Sequence, residues 1–404
     1  MSGPSTLAAA LVRALRAHGS RPAAVGAGAP SWATVADGAR HLALGLHEAG
    51  LSGRRVAVDP TGAPHEVVGR EVAVLAAGAV LTAPGTGELD ARLTHTTMTV
   101  LGPDPTTSSR SEIERAGRRA DRDRPAEAEE LLATIEPSGP ALAGVDHTVS
   151  QAEALWALRA VDRWLGPSLN AMAAELVVVV GGGPAGSELS LALLGRWWPA
   201  SSGAALVGVD GSATATVASH RPTVAILGPD DWAELAGGVR RTADRSLGGP
   251  ALLRRGRVVV AGESTTRRDR TGLVVARRWA GPRVRGGAGL DQLVAGVSLG
   301  PLAPGAARDL TVASVPVTPT WLEPGVLAPV AAGPVTRPQP ATCWGRPLPG
   351  RSVEVAPGRT TVHGGDVGGG RDVSTRVRVD PRGRVRLPGV ARAPWGEPVA
   401  GSRP

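Results

Sequence analysis

Between residues 33 and 83 the sequence switches twice from helical to strand periodicity, and no other feature restricts the possible folds as much. Val35, Ala39, Leu42 and Leu46 recur at helical spacing, and the run stops at Gly50, a natural helix-ending glycine. The strand-like RVAVD follows at residues 55–59, then a second helical stripe of Val67, Val68, Val72 and Leu75, then AVLTA at residues 79–83. Alternating helices and strands need crossover connections, and crossovers produce a parallel sheet covered by helices.

The same alternation returns downstream as a helix over 151–165, a strand over 176–180, a helix over 187–194 and strands over 204–209 and 223–227. Beyond residue 245 Gly, Pro and Arg dominate. RSVEV and RVRVDPRGRVRL alternate like short antiparallel strands, with a turn at Pro381-Arg382-Gly383. The expected fold class is therefore α/β. Two parallel-sheet subdomains, residues 1–102 and 131–300, precede a small β-rich subdomain within 301–390 and a tail at 391–404. Residues 103–130, polar and charged throughout, read as a mobile linker.

Composition narrows the function classes. The chain has 42% hydrophobic residues but no Phe, Tyr or Lys, so Val, Leu, Ala and ten Trp must fill its core. That bias is what an extremely GC-rich gene would give. The net charge of +8 is carried by Arg alone, densest at residues 240–285 and broken there by Gly and Pro. With no helix-turn-helix, zinc-finger or RRM pattern beside it, this reads as a solvated surface rather than a nucleic-acid groove. The single Cys343 excludes an internal disulfide, and the eight His show no metal-binding spacing, so no metal site is expected from these residues. Leu7, Leu11 and Leu15 define a first amphipathic helix whose Arg13 and Arg16 argue against a secretory signal. No run reaches the ~18 apolar residues of a membrane span, so the cytoplasm is the expected location.

One local motif points to chemistry directly. In ELVVVVGGGPAGSELSLALL, residues 175–194, Gly181, Gly183 and Gly186 satisfy G-x-G-x-x-G between a buried strand and a helix, and Asp210 ends the next strand. Glycines at that spacing let a backbone approach a pyrophosphate, and the acid binds a ribose, so an NAD(P)- or FAD-binding oxidoreductase is one reading. Against it, Asp210 lies 24 residues past Gly186, beyond the usual ~20, and residues 1–40 carry no N-terminal glycine fingerprint.

A second reading comes from blocks spread along the chain. Residues 20–84 (SRPAAVGAGAPSWATVADGARHLALGLHEAGLSGRRVAVDP through AVLTAP), VASHRPTVAILGPDDWAELA at 217–236, WGRPLPGRSVEV at 344–355 and RVRVDPRGRVRLPG at 376–389 occur in order. In that order they resemble the large domain of the adenylate-forming (AMP-dependent) acyl-CoA synthetases. The resemblance implies ATP-dependent activation of a carboxylic acid to an acyl-adenylate and thioester, with ATP/AMP and Mg²⁺ at the site and an acyl chain, CoA or acyl carrier as partner. It also makes residues 175–194 an element beside the acyl pocket; a scaffold kept only as a binder has Trp197 and Trp198 as candidates for its surface, although an adjacent Trp pair more often splits between core and exposed face.

The family's chemical motifs are eroded here. Its TSGTTGxPKG phosphate loop corresponds to IEPSGPALAGVDHT, where Ser138, Gly139, Gly144 and Val145 survive and His147 stands alongside. Its YGxTE stretch falls at TPTWLEPG, which would make Trp321 the adenine-stacking ring and Glu323 the Mg²⁺-holding acid and catalytic candidate. Its ribose-gripping Asp is replaced by Thr375, and Asp366 in GGDVGG imitates that motif too early in the chain. Where the family continues into a lid with a catalytic Lys, this chain offers no lysine. One lost preorganised contact costs roughly a hundred- to a thousandfold in rate, so several lost together imply a degraded ligase kept as a binding remnant.

Overall fold

The computed structural model describes residues 4–386 apart from 84–88, 102–103, 145–146, 170–175, 184–186, 261–266, 324–325, 335–342, 357–358, 368–369, 374 and 376. The first sheet orders its strands as Thr106–Ser109, Thr97–Val100, Ala91–Leu93, Arg55–Val58, Val80–Thr82, Pro140–Ala143 and Thr148–Ser150. The four central strands are parallel and antiparallel strands flank them, as the crossover argument requires.

The second sheet starts at Ala205–Gly208 and runs in parallel through Val177–Val180, Val224–Leu227, Ala295–Ser298 and Val317–Trp321. It then turns antiparallel through Ala331–Ala332, Cys343–Pro347, Val385–Arg386 and Arg378–Val379. The strands Ser352–Ala356, Arg359–His363 and Arg371–Val373 form a separate antiparallel sheet. The turn before Val385–Arg386 uses Gly383 at φ 72°, the left-handed conformation that its sequence position called for.

Residues 103–130 are not a linker. Thr106–Ser109 is an edge strand of the first sheet, and the helices Arg110–Asp123 and Glu127–Thr134 follow it. Ser109 caps the first of these helices, accepting from Glu112 N–H (3.3 Å), while the Glu112 carboxylate accepts from Ser109 N–H (2.9 Å). Only Ile113, Gly117 and Ala120 are buried on this helix, a stripe too narrow to show against its charged residues. It crosses the helix Trp32–Glu48 where Gly45 and Gly117 allow the backbones to meet. A Cβ at Gly117 would overlap the carbonyl of His41, and one at Gly45 the carbonyl of Ile113.

Trp197 and Trp198 are in the core rather than on a surface. They end a helical stretch from Glu188 to Ser201 that contains a π turn, Leu193–Trp197. The stretch packs against the helices Leu7–Ala17, Pro64–Ala76 and Gln151–Leu169 and the strand Val177–Val180, so both adjacent rings are covered. Trp197 Nε1–H donates to Glu71 Oε2 (2.8 Å), and Arg196 clasps the same carboxylate (Nη2 to Oε1, 2.7 Å). This cluster joins the helix Pro64–Ala76, beside the first sheet, to the second sheet's helices.

Candidate functional site

In doubly wound sheets ligands bind at the carboxyl ends of the strands, so the loops leaving the second sheet define the place to look. These loops close on one another. The Gly182 carbonyl lies against the Cα of Gly228, Gly183 faces the side chains of Ser187 and Leu299, and Ser190 Oγ–H donates to the Val326 carbonyl (3.4 Å). Thr320 Oγ1–H reaches back to the Ser298 carbonyl (2.7 Å), tying the last two parallel strands together at this end.

Glu323 sits here, buried, just beyond the strand Val317–Trp321. Its Oε2 accepts from Trp321 Nε1–H (3.0 Å) and from Thr375 Oγ1–H (2.8 Å). The structure thus brings together three residues that the sequence singled out, Glu323 and Thr375 lying 52 positions apart. Trp321 is only 2% exposed and stacks on Trp344 with centroids 5.3 Å apart and planes 17° from parallel. A ring covered in this way offers no open face to an adenine. Both donors converge on Oε2, so that oxygen's two acceptor directions are taken. No group of three or more His, Cys, Asp or Glu suited to a metal occurs among the described residues. Trp344 thus covers a face of Trp321 and two donors occupy Glu323 Oε2, in contrast to the open adenine-stacking face and metal-facing acid that the resemblance implies.

The phosphate-loop candidates are not brought together. Ser138 and Gly139 precede the strand Pro140–Ala143 and Gly144 follows it, which puts Gly139 and Gly144 about 16 Å apart at ~3.3 Å per strand residue. The strands Pro140–Ala143 and Thr148–Ser150 pair antiparallel, and Gly144 N–H donates to the His147 carbonyl (2.8 Å) with the His147 ring lying against Gly144. Val145 lies outside the described residues.

For the glycine motif, the topology is the one a dinucleotide fingerprint needs: Val177–Val180 and Ala205–Gly208 are adjacent and parallel, with Asp210 exposed beyond the latter. The chemistry at the turn differs. Gly181 is packed so that a Cβ would overlap the Asp231 carboxylate. Burial, reinforced by Glu234 and Asp230, raises the Asp231 pKa above the usual carboxylate value, although the Gly228 N–H partly offsets this. A half-buried carboxyl packed against the first glycine of the turn takes the place a pyrophosphate would need beside it. Gly186 lies outside the described residues.

Asp366, set aside as an imitation, has a structural assignment. Its Oδ2 accepts from Arg351 and from Ala328 N–H (3.1 Å), and both charged side chains are fully buried. Arg351 also donates to the Ala328 carbonyl (3.0 Å) and lies 5.3 Å from the Trp156 ring centroid. Gly364 and Gly365 bring their backbone against that same ring, which any Cβ at Gly365 would strike. The Gly-Gly-Asp pattern thus anchors the small sheet to the helix Gln151–Leu169. Nothing in the local sequence marked Arg351 as its partner.

No family model and no curated protein matches the sequence. Solved structures do resemble it. VinN in complex with L-aspartate is 14% identical with a TM-score of 0.61, covering 95% of this chain and 98% of its own. Coronafacic acid ligase from Pectobacterium brasiliense is 12% identical with a TM-score of 0.58, covering 93% and 77%. A malonyl-CoA ligase with methylmalonyl-CoA and AMP bound is 17% identical with a TM-score of 0.58, covering 92% and 78%. The chain has the mixed α/β fold of the large domain of the adenylate-forming ligases.

Proposed function

We propose that this protein is a ligase-like member of the adenylate-forming group in which acid activation has been lost and the scaffold serves to bind an acyl chain, a CoA thioester or an acyl carrier. The observation that carries this reading is the Glu323 carboxylate held by Thr375 and Trp321. Where the ligases resembled in sequence place an acid for the ribose, a hydroxyl here donates to the neighbouring acid. The Gly144 N–H, which donates to the His147 carbonyl, and the loss of Thr-Thr-Gly and Lys from the stretch IEPSGPALAGVDHT support the same reading, because that N–H and a cation are not offered there to developing phosphate charge.

The test is pyrophosphate release from ATP with a panel of carboxylic acids, run beside thermal shifts with ATP, AMP, acyl-CoA, NAD(P) and FAD. The expected outcome is no acid-dependent pyrophosphate and a shift with acyl-CoA alone; turnover with any acid overturns the proposal. The parallel adjacency of Val177–Val180 and Ala205–Gly208 favours a second reading, a dinucleotide site at Gly181 and Gly183. A shift confined to NAD(P) or FAD would select it.

A further inference from the structure

Residues 240–285 hold thirteen Arg against Asp244, Glu263 and Asp269, a net charge of +10 that exceeds the +8 of the whole chain. Part of this charge is internal: Arg240 and Arg257 pair with the buried Asp309 (3.0 and 3.2 Å), and Arg277 donates to the carbonyls of Val312 and Thr311. Arg245, Arg254, Arg255, Arg278 and Arg283 are exposed.

Of the described residues, the most exposed large apolar side chains lie among them. On the helix Arg267–Trp279, Leu273 faces inward while Val274 (63% exposed), Val275 (52%) and Trp279 (71%) face out. Val274 with Arg278, and Val275 with Trp279, are four residues apart, so these side chains form one stripe. Leu247, 84% exposed, joins it from a neighbouring turn: the next residue, Gly248, has its Cα facing Ala280, which follows Trp279. Arg255 borders the same helix, its guanidinium lying against Gly272.

We propose that this face docks on an anionic lipid bilayer, with Trp279, Val274, Val275 and Leu247 entering the headgroup boundary and the flanking arginines meeting lipid phosphates. Charge complementarity selects a negative partner. The apolar stripe selects a bilayer over a nucleic acid, since exposed valines and a leucine gain nothing from a phosphate backbone but gain apolar burial at a lipid interface. Arginine suits the position because its stem lies along apolar surface while its head stays with phosphate.

The test is flotation of the full chain with vesicles of equal phosphatidylglycerol and phosphatidylcholine, against phosphatidylcholine alone, at 50 and 500 mM salt. Binding is expected only to the anionic vesicles and to weaken at high salt. Replacing Arg254, Arg255 and Arg278 together by Gln is expected to lower partitioning about a hundredfold. Trp279→Ser, and separately Val274→Ser with Val275→Ser, are expected to lower it about fivefold or more, with circular dichroism unchanged because these side chains are exposed. Equal binding to neutral vesicles, or full binding by the Trp279→Ser and valine variants, overturns the proposal. So does tighter binding to a single-stranded oligonucleotide than to anionic vesicles at the same salt, which would assign the face to nucleic acid.

Discussion

Replacing Asp366 by Ala tests whether this acid is structural or nucleotide-facing. The substitution removes the oxygen that accepts from Arg351 and from Ala328 N–H, and it leaves a guanidinium with no solvent exposure. Arg351 would keep only the Ala328 carbonyl and the Trp156 ring as partners. Burial already lowers the Arg351 pKa, and Asp366 is what counters that burial, so its removal takes away the compensating charge. Breaking a buried pair on one side costs about 3–5 kcal/mol. Denaturant unfolding followed by tryptophan fluorescence reads this loss, with Trp156 as a local reporter. Arg351→Met combined with Asp366→Leu is expected to recover most of it, because an apolar pair of similar volume carries no desolvation cost. A single-variant loss under about 1 kcal/mol, or a double variant no more stable than the single, would refute the argument. Loss of AMP binding without loss of stability would make Asp366 a ligand residue instead.

Two further outcomes follow from the close approaches. Gly117→Val drives a side chain into the His41 carbonyl and is expected to cost at least about 1–3 kcal/mol by overpacking, measured by the same unfolding assay. The exposed Arg118→Ala beside it is the control and should change little. Asp231 holds its proton more tightly folded than unfolded, so its contribution is present below the unfolded pKa and is lost as pH rises through the folded one. Asp231→Asn should therefore gain melting temperature relative to wild type as pH rises from 4 to 8, and a constant difference would contradict the assignment.

The parallel sheets were legible because Val35, Ala39, Leu42 and Leu46, and the run at 177–180, are apolar at the period of their element. The helix Arg110–Asp123 was not, because its contact is made by glycine backbone rather than by large side chains; the Ser109–Glu112 capping box was the usable signal. At the candidate site Glu323, Trp321 and Thr375 were each visible as positions in a pattern, but that Thr375 would donate to Glu323 depends on how the strand Arg378–Val379 returns to the sheet. The shortening of the stretch 138–148 and its loss of Thr-Thr-Gly and Lys were legible directly, whereas the capture of Gly144 N–H by the His147 carbonyl depends on how the flanking strands pair. The burial of both Trp197 and Trp198 comes from packing against several elements at once, the helices Leu7–Ala17, Pro64–Ala76 and Gln151–Leu169 and the strand Val177–Val180, which no residue pattern announced.

The clasp of Glu71 by Arg196 and Trp197 has a bearing on where the chain can be cut. Expressed without the second sheet, residues 1–150 would present the Glu71 carboxylate on an apolar helix face with no cation or indole to receive it. The edge strand Ala205–Gly208 would likewise lose Ala23, whose carbonyl accepts from Leu206 N–H (2.9 Å), and Trp32, which donates to the Ala204 carbonyl (3.2 Å). A dissection at the apparent sheet boundary would therefore yield two sticky halves, and the smallest piece able to fold by itself includes both sheets.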